Sequence, residues 1–455
     1  MTRTGTAVFL LSIAAVALVG ARPFAGGWND GSRFAAVEML AERGTFVIDE
    51  SVFVRVPADP PYPYPLGVGL RDTGTRDKLL IGGHFYSDKS PVPSVVMAGL
   101  YRGWLLAGGP TARDRPDLFC YWLTVVTGGL PAVLAAWGVV VLGRVLGLGG
   151  RTHALYSVSF AAATVLPAYT RHVNAHLPFL AAAVWLVVLL ARAQAAGRLS
   201  ARTAVGVGTL AGVGYTLDLG VGPALVVALV PFVAVGFRSV CAVAIVGSAL
   251  TPWVAAHHAL NYQIAGTLVP ANAVAEYLRW PGSPFDAQTA TGGLKHSPAG
   301  LLLYAADLLV GKKGFLTHNL PLCLSVAGAV RLAWSRPTDR AAVGFCAGWS
   351  ALAVGVYAAT STNLSGAAAS VRWFVPLLAP GYWVLGLTLR AHPWLWPDLA
   401  WLTLCGVGPA VLMWAAGPWM QHLVPGWWAW AAVAGVGWAV VTARHRGGSP
   451  PRAPS

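Results

Sequence analysis

The sequence predicts an all-α polytopic membrane protein, and three observations carry that prediction. Of 455 residues, 56% are hydrophobic and only 11% charged, where a soluble domain carries about 25% charged residues. Apolar blocks of roughly 16–25 residues recur from end to end, separated by short polar breaks. Arginines concentrate in every second break, the signature of alternating sides of a membrane. Together these exclude a soluble globular enzyme, a disordered chain and a disulfide scaffold. The five cysteines are scattered through apolar segments without paired spacing and read as small hydrophobes. The net charge of +14 follows from the loop arginines, and no basic face or motif for nucleic acid is present.

Taken in order, the first apolar block is 6–21, read as a retained anchor because the segment behind it looks functional. Further spans fall near 119–143, 153–169, 176–191, 203–217, 219–236, 240–259, 315–331, 341–360, 373–389, 396–416 and 426–442. That makes about twelve transmembrane helices, in a range of roughly 11–13. The pair 203–217 and 219–236 is the weakest, being Gly-rich and barely separated. An N-terminus in the cytosol puts Arg144, Arg151, Arg192, Arg198, Arg202, Arg238, Arg331, Arg336, Arg340, Arg390, Arg444, Arg446 and Arg452 on the cytosolic side. Only Arg171 and Arg372 then lie in short outer loops.

The acids run the other way. Only Asp339 and Asp398 fall near the cytosolic side, and most of the rest sit in one long outer loop, 22–118, between Asp30 and Asp117. Acidic residues barely influence orientation, so this clustering calls for another cause. In that loop Phe34, Val37, Leu40 and Ala41 share a helical face opposite Glu38 and Glu42, which predicts an amphipathic surface helix over Ser32–Arg43. Thr45–Val56 is β-branched and alternating, which predicts short strands. Leu79–Tyr86 around Gly82-Gly83 predicts a hairpin. Val95–Leu106 predicts a second interfacial helix. A second outer platform, 260–314, holds Tyr277, Trp280 and an interfacial helix near 298–310. The chain thus reads as a single integral membrane domain, 1–455, with a short cytosolic tail at 443–455 and no C-terminal soluble domain.

Candidate chemistry lies on the outer side. Asp30, a few residues beyond the first helix, is a carboxylate at the interface, where partial desolvation suits a general base; it also reads as a helix cap or a partner of Arg33. Lys89, before Pro91 in a turn, suits a lipid phosphate, or equally a snorkelling position. Arg372 and Arg171 are charges placed against the topology rule, and guanidinium groups suit phosphate; each also suits a salt bridge to the outer acids. His172 and His176 stand at i, i+4, the spacing of two metal ligands on a helix. No HExxH and no third ligand accompany them, so no metal site is assigned, and His176 is placed as a hydrogen-bonding residue near the site. Asp218 reads first as a cap.

Two segments carry a family resemblance. Asn29-Asp30, followed by the helix Ser32–Arg43, and Gly83–Pro91, similar to a Tyr-x-x-Lys-Pro-Pro turn through Tyr86 and Lys89, resemble the GT-C glycosyltransferases, in the broad group of protein O-mannosyltransferases and aminoarabinose lipid transferases. Tyr277–Pro284, Gly311–Phe315 and Thr362–Phe374 are similar to segments of bacterial multispanning members. The chain departs from the family at Ser90, in place of the first Pro of the turn, and at Asn29-Asp30, one carboxylate where a pair is usual.

The resemblance implies a GT-C-like core in the plasma (inner) membrane with its active site facing outside. It implies a polyprenyl-phosphate-linked sugar as donor, membrane lipids as surroundings, and inverting transfer of a hexosyl or pentosyl group to an acceptor hydroxyl whose identity the residues leave open. Asp30 would be the base; Lys89, Arg372, Arg171, His176 and Tyr86 would bind substrate. A divalent metal serves some relatives, and nothing in these residues demands one. The competing classes are a lipid or glycan transporter or flippase, which needs charged residues in mid-span, and a binding-only relative. No predicted span carries a central Lys, Arg, Asp or Glu.

Overall fold

A computed structural model of the chain describes residues 1–285, 297–361, 363–420 and 424–447. Thr362, Arg452 and the side chain of Arg446 lie outside the described residues. The twelve apolar stretches are largely helical, with 153–169 broken at 163–165 between two helices. We number the longer helices α1 (Arg3–Gly20), α2 (Trp28–Arg43), α3 (Pro91–Leu106), α4 (Pro116–Val145), α5 (Gly150–Ala162), α6 (His176–Ala195), α7 (Ala201–Leu217) and α8 (Val221–Phe237). The second half holds α9 (Val240–Ala265), α10 (Pro298–Val310), α11 (Pro321–Ser335), α12 (Arg340–Thr360), α13 (Leu378–Ala391), α14 (Trp396–Ala416) and α15 (Trp427–Gly447). Among the described residues, seven helical segments are long and apolar enough to cross a membrane: α1, α4, α6, α9, α12, α14 and Arg372–Ala391, which ends in α13. The protein is an integral, multi-pass membrane protein.

Local chemistry explains the irregular elements. α4 runs through a π-helical turn at Val125–Gly129, where Gly129 lets α1 come close; a Cβ there would sit 3.1 Å from that of Ala17. The glycines that make 203–217 ambiguous in sequence are contact points. At Gly208 a Cβ would lie 2.3 Å from the Val246 carbonyl, and at Gly212 it would press on Trp253. The absent side chains are what let α7 lie along α9.

The polar loops divide between the two ends of the bundle as the arginine pattern predicts. At one end the Met1 amine meets His153 Nδ1 at 3.1 Å, Arg144 donates to Thr6, Gln194 donates to the Thr338 carbonyl, and Arg390 pairs with Asp339 at 2.6 Å. Asp398 clips α15 to α14 by accepting from Trp438 and Thr442. At the other end 22–118, 171–176, 257–285, 311–318, 363–373 and 417–420 converge.

The first loop departs from its sequence expectation in two places. Strands form at β1 (Lys78–Ile81) and β2 (His84–Ser87), antiparallel, with Gly82 and Gly83 both at positive φ in the turn. Thr45–Val56, expected as strands, is instead a run of turns with one isolated bridge, Val47 to Tyr86. The segment closes on Glu38, which accepts from the Ser51 hydroxyl (2.6 Å) and the Val52 N–H (3.2 Å). The second departure is α2 itself. It does not float on the surface with a polar face outward, because every residue from Asp30 to Met39 is buried. The loop folds back over it and builds its own core, in which Phe34 stacks on Phe53 at 5.1 Å and Tyr101 meets Phe119 at 4.5 Å. α3 leaves Val95, Val96, Leu100 and Leu106 exposed. α10 likewise exposes Leu302 and Leu303. Cys241 is exposed, unlike the buried Cys120 and Cys346.

Burial pushes the Glu38 carboxyl up to about 7. A raised acid pKa means that the folded state binds a proton that the unfolded state releases. Stability from this group is therefore full below the ordinary Glu range and is lost as pH rises through 7. The span corresponds to a loss on the order of 3 kcal/mol. In detergent, Glu38→Gln should flatten the fall in melting temperature between pH 5 and pH 8; an unchanged slope would show that Glu38 does not set it.

Candidate active site

The site is built where α1 hands the chain to α2. The Arg22 N–H donates to the Arg171 carbonyl, and the Ala25 N–H to that of Pro63. Gly26 and Gly27 then turn the chain into α2, whose first residue is held by the Thr75 hydroxyl donating to the Trp28 carbonyl at 2.7 Å. Asp30 lies in the first helical turn, where the helix dipole favours a carboxylate. It is fully buried. Its Oδ2 accepts from the Gly26 N–H (2.7 Å) and from Trp419 Nε1 (3.3 Å), and His172 Nδ1 stands 3.1 Å away. Its Oδ1 is buried without a partner. Asp30 therefore neither caps α2 by an N2 or N3 N–H nor pairs with Arg33. One oxygen is fixed by donors and the other is left with free lone pairs.

Arg33 is one turn along the same face. It is buried, its Nε has no partner, and no carboxylate lies within ion-pair distance of it among the described residues. Burial drives its guanidinium down to about 10, with Asp88 opposing and Arg372 reinforcing. From sequence Arg33 reads only as a local partner of Asp30; its i, i+3 spacing from Asp30 is the signal that both share one face. Arg33 stands at the head of an apolar groove of about 340 Å³ between α3 and the bundle, lined also by Val92, Val96, Met97, Leu100 and Trp253.

Lys89 does not snorkel. Its partly buried ammonium is held between Asp77 (2.8 Å) and Asp88 (2.7 Å). Asp88 in turn accepts from Ser32 of α2 at 2.9 Å, which fastens the hairpin to the helix that carries Asp30. Burial raises the Asp77 carboxyl, and the Lys89 charge works against that rise. Arg372 opens a 3-10 turn, its N–H donating to Ser365 at 3.1 Å. Its guanidinium lies 5.3 Å over the ring of Trp419, the residue that also donates to Asp30. No carboxylate pairs with Arg372 among the described residues, so the expected salt bridge is not made there. His176 begins α6, its ring edge-on to Tyr169 at 5.5 Å.

Other candidate residues have surroundings that the sequence does not reveal. Arg171 is not directed at an anion: its Nη1 donates to the carbonyls of Trp414 and Ala415, where a cation satisfies the C-terminal end of α14. Tyr86 packs with Leu79, Ala271 and Leu278, between the hairpin and the second platform, and not against Asp30. His172 precedes α6 in irregular chain, so His172 and His176 do not share a helix face, and no cluster of metal-binding side chains occurs among the described residues. Asp218 is the cap it first reads as, accepting from the Gly220 and Val221 N–H groups and from Tyr357. The two platforms are joined at Lys78, whose ammonium lies 4.1 Å over Phe85 and 5.0 Å over Trp280, while Trp280 donates to the Lys78 carbonyl.

No family model matches this sequence, and no curated protein matches it. Among solved structures the chain is similar to ArnT from Cupriavidus metallidurans bound to undecaprenyl phosphate. The TM-score is 0.52 at 15% identity, over 98% of this chain and 78% of that one. The apo state of the same enzyme gives 0.52 at 15%, over 97% and 77%. The apo oligosaccharyltransferase of Archaeoglobus fulgidus gives 0.48 at 11%, over 99% of this chain and 57% of that one. The ArnT matches establish the fold: over nearly its whole length this chain folds as that protein does.

Proposed function

We propose that the protein transfers a sugar from a polyprenyl-phosphate donor to an acceptor hydroxyl, with inversion at the anomeric carbon. One observation carries this reading: a buried carboxylate with one oxygen, Asp30 Oδ1, unpartnered among the described residues shares its helix face with a buried arginine, Arg33, unpaired among the same residues, at the head of an apolar groove. The ArnT structure that holds undecaprenyl phosphate supports the donor class by analogy of fold.

In this reading the prenyl chain lies in the α3 groove, and Arg33 and Arg372 hold the phosphate, with Lys89 behind them. Asp30 Oδ1 takes the proton of the acceptor hydroxyl as its oxygen attacks the anomeric carbon. The bond from that carbon to the phosphate oxygen breaks, and the charge left on the lipid phosphate falls on the guanidinium groups. Confinement of both reactants at the membrane surface supplies orientation. Purified protein in liposomes containing a polyprenyl-phosphate sugar should release free polyprenyl phosphate only when acceptor is added. Release in the absence of any acceptor hydroxyl other than water would make the protein a hydrolase, and tight donor binding without turnover would make it a binding-only relative.

The loop arginines favour an orientation with this site outside the cytosol. With the native cysteines replaced, His84→Cys on the hairpin turn should be labelled from outside by an impermeant maleimide, and Ser200→Cys only after permeabilisation. Both side chains are exposed. Labelling in the reverse order would invert the orientation.

A further inference from the structure

Asp30 has a buried imidazole beside it that the transfer chemistry above leaves without a task. His172 Nδ1 lies 3.1 Å from Oδ2, with the two residues 6% and 0% exposed. The surroundings are shaped to hold that ring. A Cβ on Gly26 would come within 2.3 Å of it, so only glycine leaves the space. Gly417, at φ +91°, passes the opposite nitrogen. Phe24 and Trp419 flank the ring at 6.2 and 6.4 Å. Asn174 fixes the backbone by donating to the His172 carbonyl at 2.7 Å. Among the described residues Nδ1 makes no hydrogen bond, its 3.1 Å approach to Oδ2 falling short of hydrogen-bond geometry; contacts of this kind commonly tighten only with substrate bound.

We propose that His172 is the positioning and tuning partner of Asp30. With the Gly26 and Trp419 N–H groups it loads Oδ2, and this leaves Oδ1 as the oxygen that faces the acceptor. This inference rests on the transferase reading above. A neutral imidazole donating to Oδ2 holds the carboxylate in place while leaving it basic. An imidazolium at the same place stabilises the carboxylate further and so weakens it as a base. His172 thereby gives the reaction an acid limb of its own. The charged and titratable groups around it are Asp30 on α2, Arg22 and Arg171 through the adjoining backbone, His176 on α6, and Arg372 beyond the Trp419 ring.

The test compares His172→Gln, which keeps an N–H donor but does not titrate, with His172→Ala and Asp30→Asn, in liposomes and over a range of pH. His172→Gln should hold turnover within about tenfold while the acid limb of the rate profile disappears. His172→Ala should lose about ten- to a hundredfold in kcat, with donor KM little changed, and added imidazole should restore part of the loss through the vacated slot. Nitrogen-15 histidine titration of the folded protein adds a readout independent of transfer: Asp30→Asn should move the His172 midpoint by at least about half a pH unit. An acid limb retained in His172→Gln, or a midpoint indifferent to Asp30→Asn, would overturn the inference. If Asp30→Asn abolishes transfer while both His172 variants behave as wild type, only the inference fails. If Asp30→Asn keeps full activity, the base assignment fails with it.

Discussion

Asp30→Asn should lower turnover by two to four orders of magnitude, roughly the contribution of a general base, and leave donor affinity nearly unchanged. The expectation follows from where the two oxygens of this carboxylate go. Oδ2 is committed to the Gly26 and Trp419 N–H groups, so the side chain is held in one orientation. Oδ1 is buried and has no partner. An unpartnered buried acceptor is costly to a fold, and one that persists beside an unpaired buried arginine is a place where a substrate group belongs. The substituted side-chain amide would fit the same space and could still accept from the Gly26 N–H, so the fold should survive, yet it cannot take a proton at neutral pH. The cations remain, so the donor should still bind. Turnover by initial rates and donor affinity by direct binding separate the two effects. A variant within tenfold of wild type would remove Asp30 from the chemistry. Asp88 could then replace it only with difficulty, because its two oxygens are already engaged by Ser32 and Lys89.

What is legible in the sequence is what local composition determines. Each span is visible because membrane insertion imposes apolar length on a contiguous segment, and the hairpin is visible because Gly82-Gly83 interrupts a β-prone run. Asp30, Lys89 and Arg372 stand out from sequence, and the fold brings their segments to one end of the bundle. What fails depends on contacts between distant segments. The periodicity of α2 predicts a polar face at Glu38, but the turns at Ser51 and Val52 come back and bury that carboxylate. Arg171 looks misplaced by the topology rule, and its partners are carbonyls of Trp414 and Ala415, more than two hundred residues away. Trp419, which touches both Asp30 and Arg372, carries no signal among the many aromatics of a membrane chain. Arg33 is within reach of sequence reasoning, since its spacing from Asp30 already places both on one face; that spacing reads as an ion pair, and the pair is not made.

The phosphate clamp is best tested on Arg33 and Arg372, and the structure explains why Lys89 is the poorer probe. Lys89→Ala would leave the partly buried Asp77 and Asp88 side by side without their shared cation, a cost borne by the fold before any donor is present. Arg33 and Arg372 have no carboxylate within ion-pair distance among the described residues, so removing either one breaks no salt bridge, although Asp88, Asp30 and Asp77 lose part of the favourable field of Arg33. Each alanine variant should therefore fold and should weaken donor binding by about 1.5–3 kcal/mol, the scale of a hydrogen bond to a charged group. If one phosphate bridges both, the double variant should lose less than the sum, with a coupling of about 0.5–3 kcal/mol. Lysine at either position should restore charge but not the forked geometry, and so recover only part of the affinity. Strictly additive losses below about 0.5 kcal/mol each would match exposed charges near a membrane surface and would remove both arginines from the donor site. Coupled losses with intact melting behaviour would place the donor phosphate between α2 and the turn at Arg372, beside the free oxygen of Asp30.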